Sequence, residues 1–222
     1  MKNIHFFPIL FIMILCVSCK SKEEKALELI NDYMFSTLYD YESYQPIETS
    51  IDSAFLSPYT DSICIAQALM AVYADEKADE YEETANSAKM SMDIWEDSYS
   101  SYGRTQFKKA LSEYKDAANS RLDMLYTALE CSVHIYERAD TLSCDFCGWK
   151  VSHKFRCKTK GGNPSIGDYT FIVDPKFTKI ISSFDDDDDD IVSLRTVIER
   201  ALEADENTIQ DIKSKIANRV RF

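Results

Sequence analysis

The sequence predicts an α+β protein: a small antiparallel sheet of three to four strands with flanking helices, interrupted by a long antiparallel helical hairpin of coiled-coil character. Three observations predict it. From Tyr59 to Asp145 there is no proline and one glycine, Gly103, a long stretch with nothing to stop a helix. Inside that stretch Ala74, Ala78, Tyr81, Ala85, Ala88, Met92, Trp95, Tyr99 and Tyr102 follow alternating steps of four and three, a heptad seam. From Gly148 onward the apolar period drops to two, the period of a strand.

In chain order, a first helix is expected from about Glu24 to Tyr39, because Ala26, Leu29, Ile30, Tyr33, Met34, Thr37 and Leu38 repeat at helical spacing. Tyr44 to Phe55, with Pro46 and β-branched residues, reads as an extended edge strand plus a loop. Asp61 or Ser62 can cap the next helix. SYSSYG at 98–103 breaks its pattern. A second run follows through Phe107, Leu111, Tyr114, Ala118, Leu122, Leu125, Leu129, Ser132, Tyr136 and Ala139. Both runs come to about 55 Å at 1.5 Å per residue, and near-equal helices joined by a short turn fold back on each other.

Trp149, Val151, His153, Phe155 and Cys157 alternate with Lys150, Ser152, Lys154, Arg156 and Lys158, the pattern of a half-buried antiparallel strand. A turn over Gly161–Gly167 leads to a strand over 168–173. Asp174 and Pro175 begin a type I turn, and a third strand returns over 177–184. Ile191, Leu194, Ile198, Ala201, Leu202, Asp205, Ile209, Ile212 and Ile216 mark one closing helix. Aspartates precede it, and Lys213, Lys215, Arg219 and Arg221 lie near its end, as the helix dipole favours.

The organisation expected is a signal peptide at 1–18 and a lipid anchor and tether at 19–23. A helix and edge strand at 24–59, the hairpin insertion at 60–143, the β-meander at 144–184 and an acidic loop with a C-terminal helix at 185–222 complete it. The leader rests on the 12 apolar residues from Phe6 to Val17, too few for the roughly 20 that span a bilayer. Leu15-Cys16-Val17-Ser18-Cys19 resembles a lipobox, although Cys16 stands where leucine is usual. The resemblance implies cleavage before Cys19 and fatty acylation, palmitate included, on its thiol. Acyl chains contribute about 0.8 kcal/mol per buried methylene, so several make a durable membrane anchor. Plain secretion is the alternative. Lys20-Ser21-Lys22-Glu23-Glu24 resembles a surface-export signal of Gram-negative gut bacteria, which implies an outer-membrane, surface-exposed location.

A wider resemblance lies in Leu38 to Glu48 (LYDYESYQPIE), Trp149 to Thr159 and Gly167 to Asp174. These resemble the opening and the later half of uncharacterised envelope lipoproteins of gut bacteria, in which a long helical hairpin interrupts a small sheet. Asp40-Tyr41 replaces the usual Asp-Pro. The resemblance implies an architecture and no activity.

The formal charge is −13, and without Lys2 the mature chain has 24 basic against 38 acidic residues. That excess opposes nucleic-acid binding. Beyond Cys19 lie Cys64, Cys131, Cys144, Cys147 and Cys157, an odd number without dense disulfide spacing. Cys144, Cys147, His153 and Cys157 approximate a zinc knuckle. A strand, however, would hold His153 and Cys157 about 13 Å apart, so no metal is expected. A Cys144–Cys147 disulfide or free thiols remain. Asp185–Asp190 lacks the spacing, glycine and glutamate of an EF-hand and reads as a solvated loop ending in a helix cap. The Lys150, Lys154, Arg156, Lys158 and Lys160 stripe reads as the wet face of a sheet or a contact for an anionic partner. His134 and His153 are the only mature histidines. G-x-S-x-G, H-E-x-x-H and the glycine-rich phosphate loops are missing.

The expectation is therefore a lipid-anchored envelope protein acting as a non-enzymatic binding module, its hairpin reaching away from the membrane. No catalytic residue and no cofactor are expected. The partner expected is the membrane through Cys19, with a protein or glycan as a further candidate; the tyrosines of the hairpin seam and tip read first as core packing and second as a contact for such a partner. An envelope hydrolase or a self-associating structural component is the alternative.

Overall fold

The computed structural model describes residues 20–219, so the leader, the lipobox with Cys19, and Arg221 of the C-terminal basic group lie outside the described residues. The fold is α+β, as expected, and forms two compact units. Among the described residues, one comprises 20–54 together with Phe146–Asp187; the other comprises Phe55–Asp145 with 188–219.

The first unit contains α1 (Lys22–Thr37), a 3₁₀ turn (Tyr41–Ser43), and strands β1 (Gln45–Phe55), β2 (Phe146–Lys158), β3 (Pro164–Val173) and β4 (Ile180–Asp185). The strands form an antiparallel sheet in the order β1-β2-β3-β4. Helix α1 starts in a capping box: the Glu24 N–H donates to Ser21 Oγ, and the Ser21 N–H donates to the Glu24 carboxylate. Ala26, Ile30 and Met34, four residues apart, are wholly buried on one stripe and pack with Val151, Phe155, Phe171 and Val173. Burying a side chain of the size of Ile30 or Met34 contributes about 1.5–3 kcal/mol. Tyr33 meets Phe171 edge-on at 5.3 Å and accepts a hydrogen bond from Ser183 Oγ at 2.9 Å.

The alternation expected along β2 holds: Val151, His153 and Phe155 are buried, whereas Lys150, Arg156 and Lys158 are exposed. Phe155 pairs with Gly167 on β3, and its ring occupies the space a side chain would need. A Cβ at Gly167 would lie 2.6 Å from that ring. This pairing explains why Gly167 sits inside a strand, where a turn over 161–167 was expected; the reversal occupies Thr159–Asn163 instead.

The third return strand starts at Ile180 rather than at Phe177. The expected turn at Asp174 forms, with the Phe177 N–H donating to the Asp174 carbonyl at 3.0 Å, but it continues as a wrap around one carboxylate. Asp174 accepts from the N–H groups of Lys176, Thr178 and Lys179 and from the Thr178 hydroxyl. Phe177 adopts φ 57° and stacks on Trp149. Burial raises the Asp174 pKa, but the Lys179, Thr178 and Lys176 donors outweigh it and hold the group at about 2.

The second unit contains α2 (Ser62–Trp95), α3 (Ser101–Thr141), α4 (Asp189–Glu203) and α5 (Glu206–Ala217). Helices α2 and α3 pack along their length as the expected hairpin. On α2 the buried line is Ala68, Ala71, Ala74, Ala78, Ala85 and Ala88; on α3 it is Gly103, Ala110, Ala117 and Cys131, at steps of seven, seven and fourteen. That line corrects the expected seam on α3. Small residues occupy the line of closest approach, Phe107, Leu111 and Ala118 flank it half-buried, and Tyr114 and Leu125 are exposed. The α2 seam ends at Trp95, with Tyr99 and Tyr102 outside it. Gly103 lies in the first turn of α3, where a Cβ would come within 2.3 Å of Ser98 Cβ.

At the hairpin base, Asp61 caps α2 by accepting from the Ile63 and Cys64 N–H groups. Its carboxylate also receives Arg138 from the end of α3, at 3.3 and 2.9 Å. Leu194, Ile198 and Ala201 of α4 complete a core with Cys64, Ala68 and Ile135. The single closing helix is a correction: the chain breaks at Ala204, and Asp205 accepts from the Thr208 N–H to cap α5.

The linkage at Asp174 has a definite sign. A carboxyl held at about 2 when folded, against 3.8 ordinarily, stabilises the fold above pH 4, and the contribution disappears as pH falls through 2. Asp174→Ala should therefore lower the thermal midpoint clearly at pH 7, and the gap from the parent should narrow between pH 4 and pH 2. Thermal melts over that range check it.

Candidate functional site

Strands β1 and β2 place His153 between two hydroxyls. Its Nε2 lies 2.8 Å from Tyr44 Oη and its Nδ1 lies 2.8 Å from Thr49 Oγ1. The side chain is fully buried, and its ring stacks on Phe155 at 5.8 Å. Burial pushes the imidazole below its ordinary 6.5, opposed in part by the negative charge of Asp168. Burial likewise pushes Tyr44 up to about 12, with Tyr41 adding to it. The triad is a closed, neutral polar network with both ring nitrogens engaged. The strand pattern placed His153 inward, but nothing in the sequence pointed to Tyr44 and Thr49, which lie more than a hundred residues earlier.

The knuckle residues do not come together as a metal centre. Cys144 is exposed, Cys147 and Cys157 are half-buried, and all are free thiols. No cluster of three or more potential metal ligands occurs among the described residues. Burial pushes the Cys64 thiol up to about 11, helped by the Asp61 charge, and raises Cys131 and Cys157 as well, which keeps these thiols protonated near neutrality.

The six aspartates divide among separate tasks. Asp185 ends β4 and accepts from the Asp187 N–H, Asp186 accepts from the Thr170 hydroxyl, Asp188 caps α4, and Asp189 and Asp190 occupy its first turn. In the basic stripe, Lys154 lies 4.0 Å from Asp168, while Lys150, Arg156, Lys158 and Lys160 are exposed.

The hairpin end carries the most exposed apolar groups of the helical unit. Tyr99 is 94% exposed, Ile94 72%, Tyr102 64% and Met90 63%. The turn beneath them is braced. Ser100 caps α3 through the Gly103 N–H, Arg104 Nη1 donates to the Tyr99 carbonyl at 2.8 Å, and Trp95 meets Tyr102 edge-on at 5.6 Å. Tyr99 and Tyr102 were singled out in the sequence as seam residues. Met90 and Ile94 were not, although their four-residue spacing off the alanine seam was a readable signal. No helix among the described residues is long and apolar enough to cross a membrane.

No protein-family model, curated protein or solved structure matches this chain.

The buried imidazole predicts a pH response. A histidine whose pKa is depressed on folding leaves the unfolded chain binding a proton that the folded chain does not, so stability falls as pH drops below 6.5. Urea unfolding at pH 7.5 and 5.5 should show that loss, and His153→Gln should shrink it. In parallel, the His153 ring resonances of the folded protein should stay those of a neutral imidazole at pH 6.

Proposed function

We propose that this chain is a lipid-anchored cell-envelope protein, held through Cys19 and displayed on the outer membrane. It acts as a non-enzymatic binding module, and its contact surface is the end of the helical hairpin. The observation that carries the reading is the exposure of Met90, Ile94, Tyr99 and Tyr102 on an ordered turn. Large apolar side chains gathered on a protein surface mark interaction sites, and tyrosine suits them because it offers apolar area with a polar tip. Pre-organisation by the Ser100 cap and Arg104 lowers the ordering entropy a partner would otherwise have to overcome. The non-enzymatic part of the reading is supported by the closed environment of His153 and the raised pKa values of Cys64, Cys131 and Cys157. The anchor is supported by the sequence around Cys19.

Two outcomes are expected. Palmitate labelling should mark the parent chain and not Cys19→Ser, and protease added to intact cells should cut the anchored protein. Photo-crosslinking from Tyr102 in the native envelope should give a discrete adduct that the Ile94→Ser, Tyr99→Ser double variant loses. Unlabelled parent protein contradicts the anchor, and an adduct indifferent to the double variant contradicts the contact surface.

A further inference from the structure

We propose that the end of the sheet unit beside the start of α1 is a membrane-docking face, seated in the headgroup layer of a zwitterionic bilayer. This rests on the anchor reading at Cys19 and adds to it which face of the unit lies on the lipid.

Three aromatic rings meet at this end. Trp149 stacks on Phe177 at 5.7 Å and meets Phe146 edge-on at 5.2 Å. Lys22 Nζ, from the first turn of α1, lies 3.6 Å over the Trp149 ring. Phe146 is 45% exposed, and Trp149 and Phe177 are half-buried. The turn that carries Phe177 is held in one shape by the Asp174 carboxylate, which accepts from the Lys176, Thr178 and Lys179 N–H groups. Aromatic rings flanked by lysines settle at a membrane–water interface, the rings at headgroup level and the ammonium groups reaching water. Trp149 Nε1 donates to the Pro175 carbonyl at 3.2 Å, so the indole can enter a water-poor layer without an unmet donor.

The length of the tether argues for lipid as the occupant. Lys20 and Ser21 alone separate Cys19 from α1. At about 3.5 Å per residue, the start of α1 cannot lie further than about 10 Å from an acylated Cys19. The capping box of Ser21 and Glu24 fixes the point at which the chain enters the helix. The aromatic end is thus kept next to the bilayer at a millimolar-scale effective concentration, where a modest affinity suffices. Lys22, Lys176 and Lys179 are exposed here, opposed by Glu23 and Glu24 in the first turn of α1. The near balance of charge suits a zwitterionic headgroup layer better than a polyanion.

The chain has two tryptophans, so Trp95→Phe leaves Trp149 as the sole indole reporter. That variant, purified from membranes, is reconstituted into phosphatidylcholine vesicles carrying lipid brominated either near the headgroup end or near the tail end of the acyl chains. Flotation of the vesicles reads the anchor, and quenching of Trp149 fluorescence reads the docking. The expected result is a floating protein whose Trp149 is quenched at least twofold more by bromine near the headgroup. Phe146→Ser should reduce that quenching severalfold with the thermal midpoint kept. A spacer of about twenty glycine and serine residues between Lys20 and Ser21, which leaves the folded unit untouched, should preserve it. A protein that floats with Trp149 unquenched, or quenched only without the spacer, overturns the docking face and leaves the anchor standing. A protein that does not float overturns the anchor and the docking face together.

Discussion

The close approach of α2 to α3 along a line of alanine and glycine is the interaction on which the helical unit depends. Ala74, Ala78, Ala85 and Ala88 are buried on α2, and Gly103, Ala110 and Ala117 on α3, where larger side chains would hold the helices apart. Each alanine loses almost no side-chain entropy on burial, so the contact relies on dispersion and excluded water rather than on large apolar volumes. Both ends of the line are fixed by polar contacts. Asp61 ties the start of α2 to Arg138 near the end of α3, and Arg138 keeps its carboxyl below the usual range. Ser100 and the tight fit of Gly103 under Ser98 set the turn at the other end. The exposed aromatic end inherits its geometry from this packing.

The sheet unit solves a different problem, keeping polar groups inside a small core. One helix, α1, covers its inner face, so there is little apolar surface to spare. His153 nevertheless sits fully buried, at the cost of desolvation, and is matched by two hydroxyls rather than by a charge. Asp174 follows the same logic at the sheet end, where four donors converge on one carboxylate and turn the chain into β4. Neither group is paired with a mobile ion or left open to solvent, which makes each a structural element.

Much of this was legible in the chain because periodicity reports burial. The alternation of Val151, His153 and Phe155 and the spacing of Ala26, Ile30 and Met34 each announced the right element and the right face. Where the reading failed, a local contact had overridden the pattern. Asp205 looked like one more position in a continuous helix, but its side chain captures a backbone N–H and starts a new one. Gly167 looked like a turn residue, but it makes room for the Phe155 ring. Hydrophobicity alone points to leucines and tyrosines as the α3 seam, but size controls the contact, and Gly103, Ala110 and Ala117 occupy the line. The partners of His153 depend on contacts distant in sequence, which no spacing encodes.

In the function proposed above, the braced aromatic end is the contact surface, and its geometry stands or falls with the small-residue seam. Urea unfolding of Ala78→Leu beside Ala66→Leu tests that seam directly, since Ala78 is 1% exposed and Ala66 is an exposed residue of the same helix. Overpacking at position 78 should cost about 1–3 kcal/mol, whereas the change at position 66 should stay within about 0.5 kcal/mol. Equal stability of the two variants would contradict the close packing from which the rest of the helical unit follows.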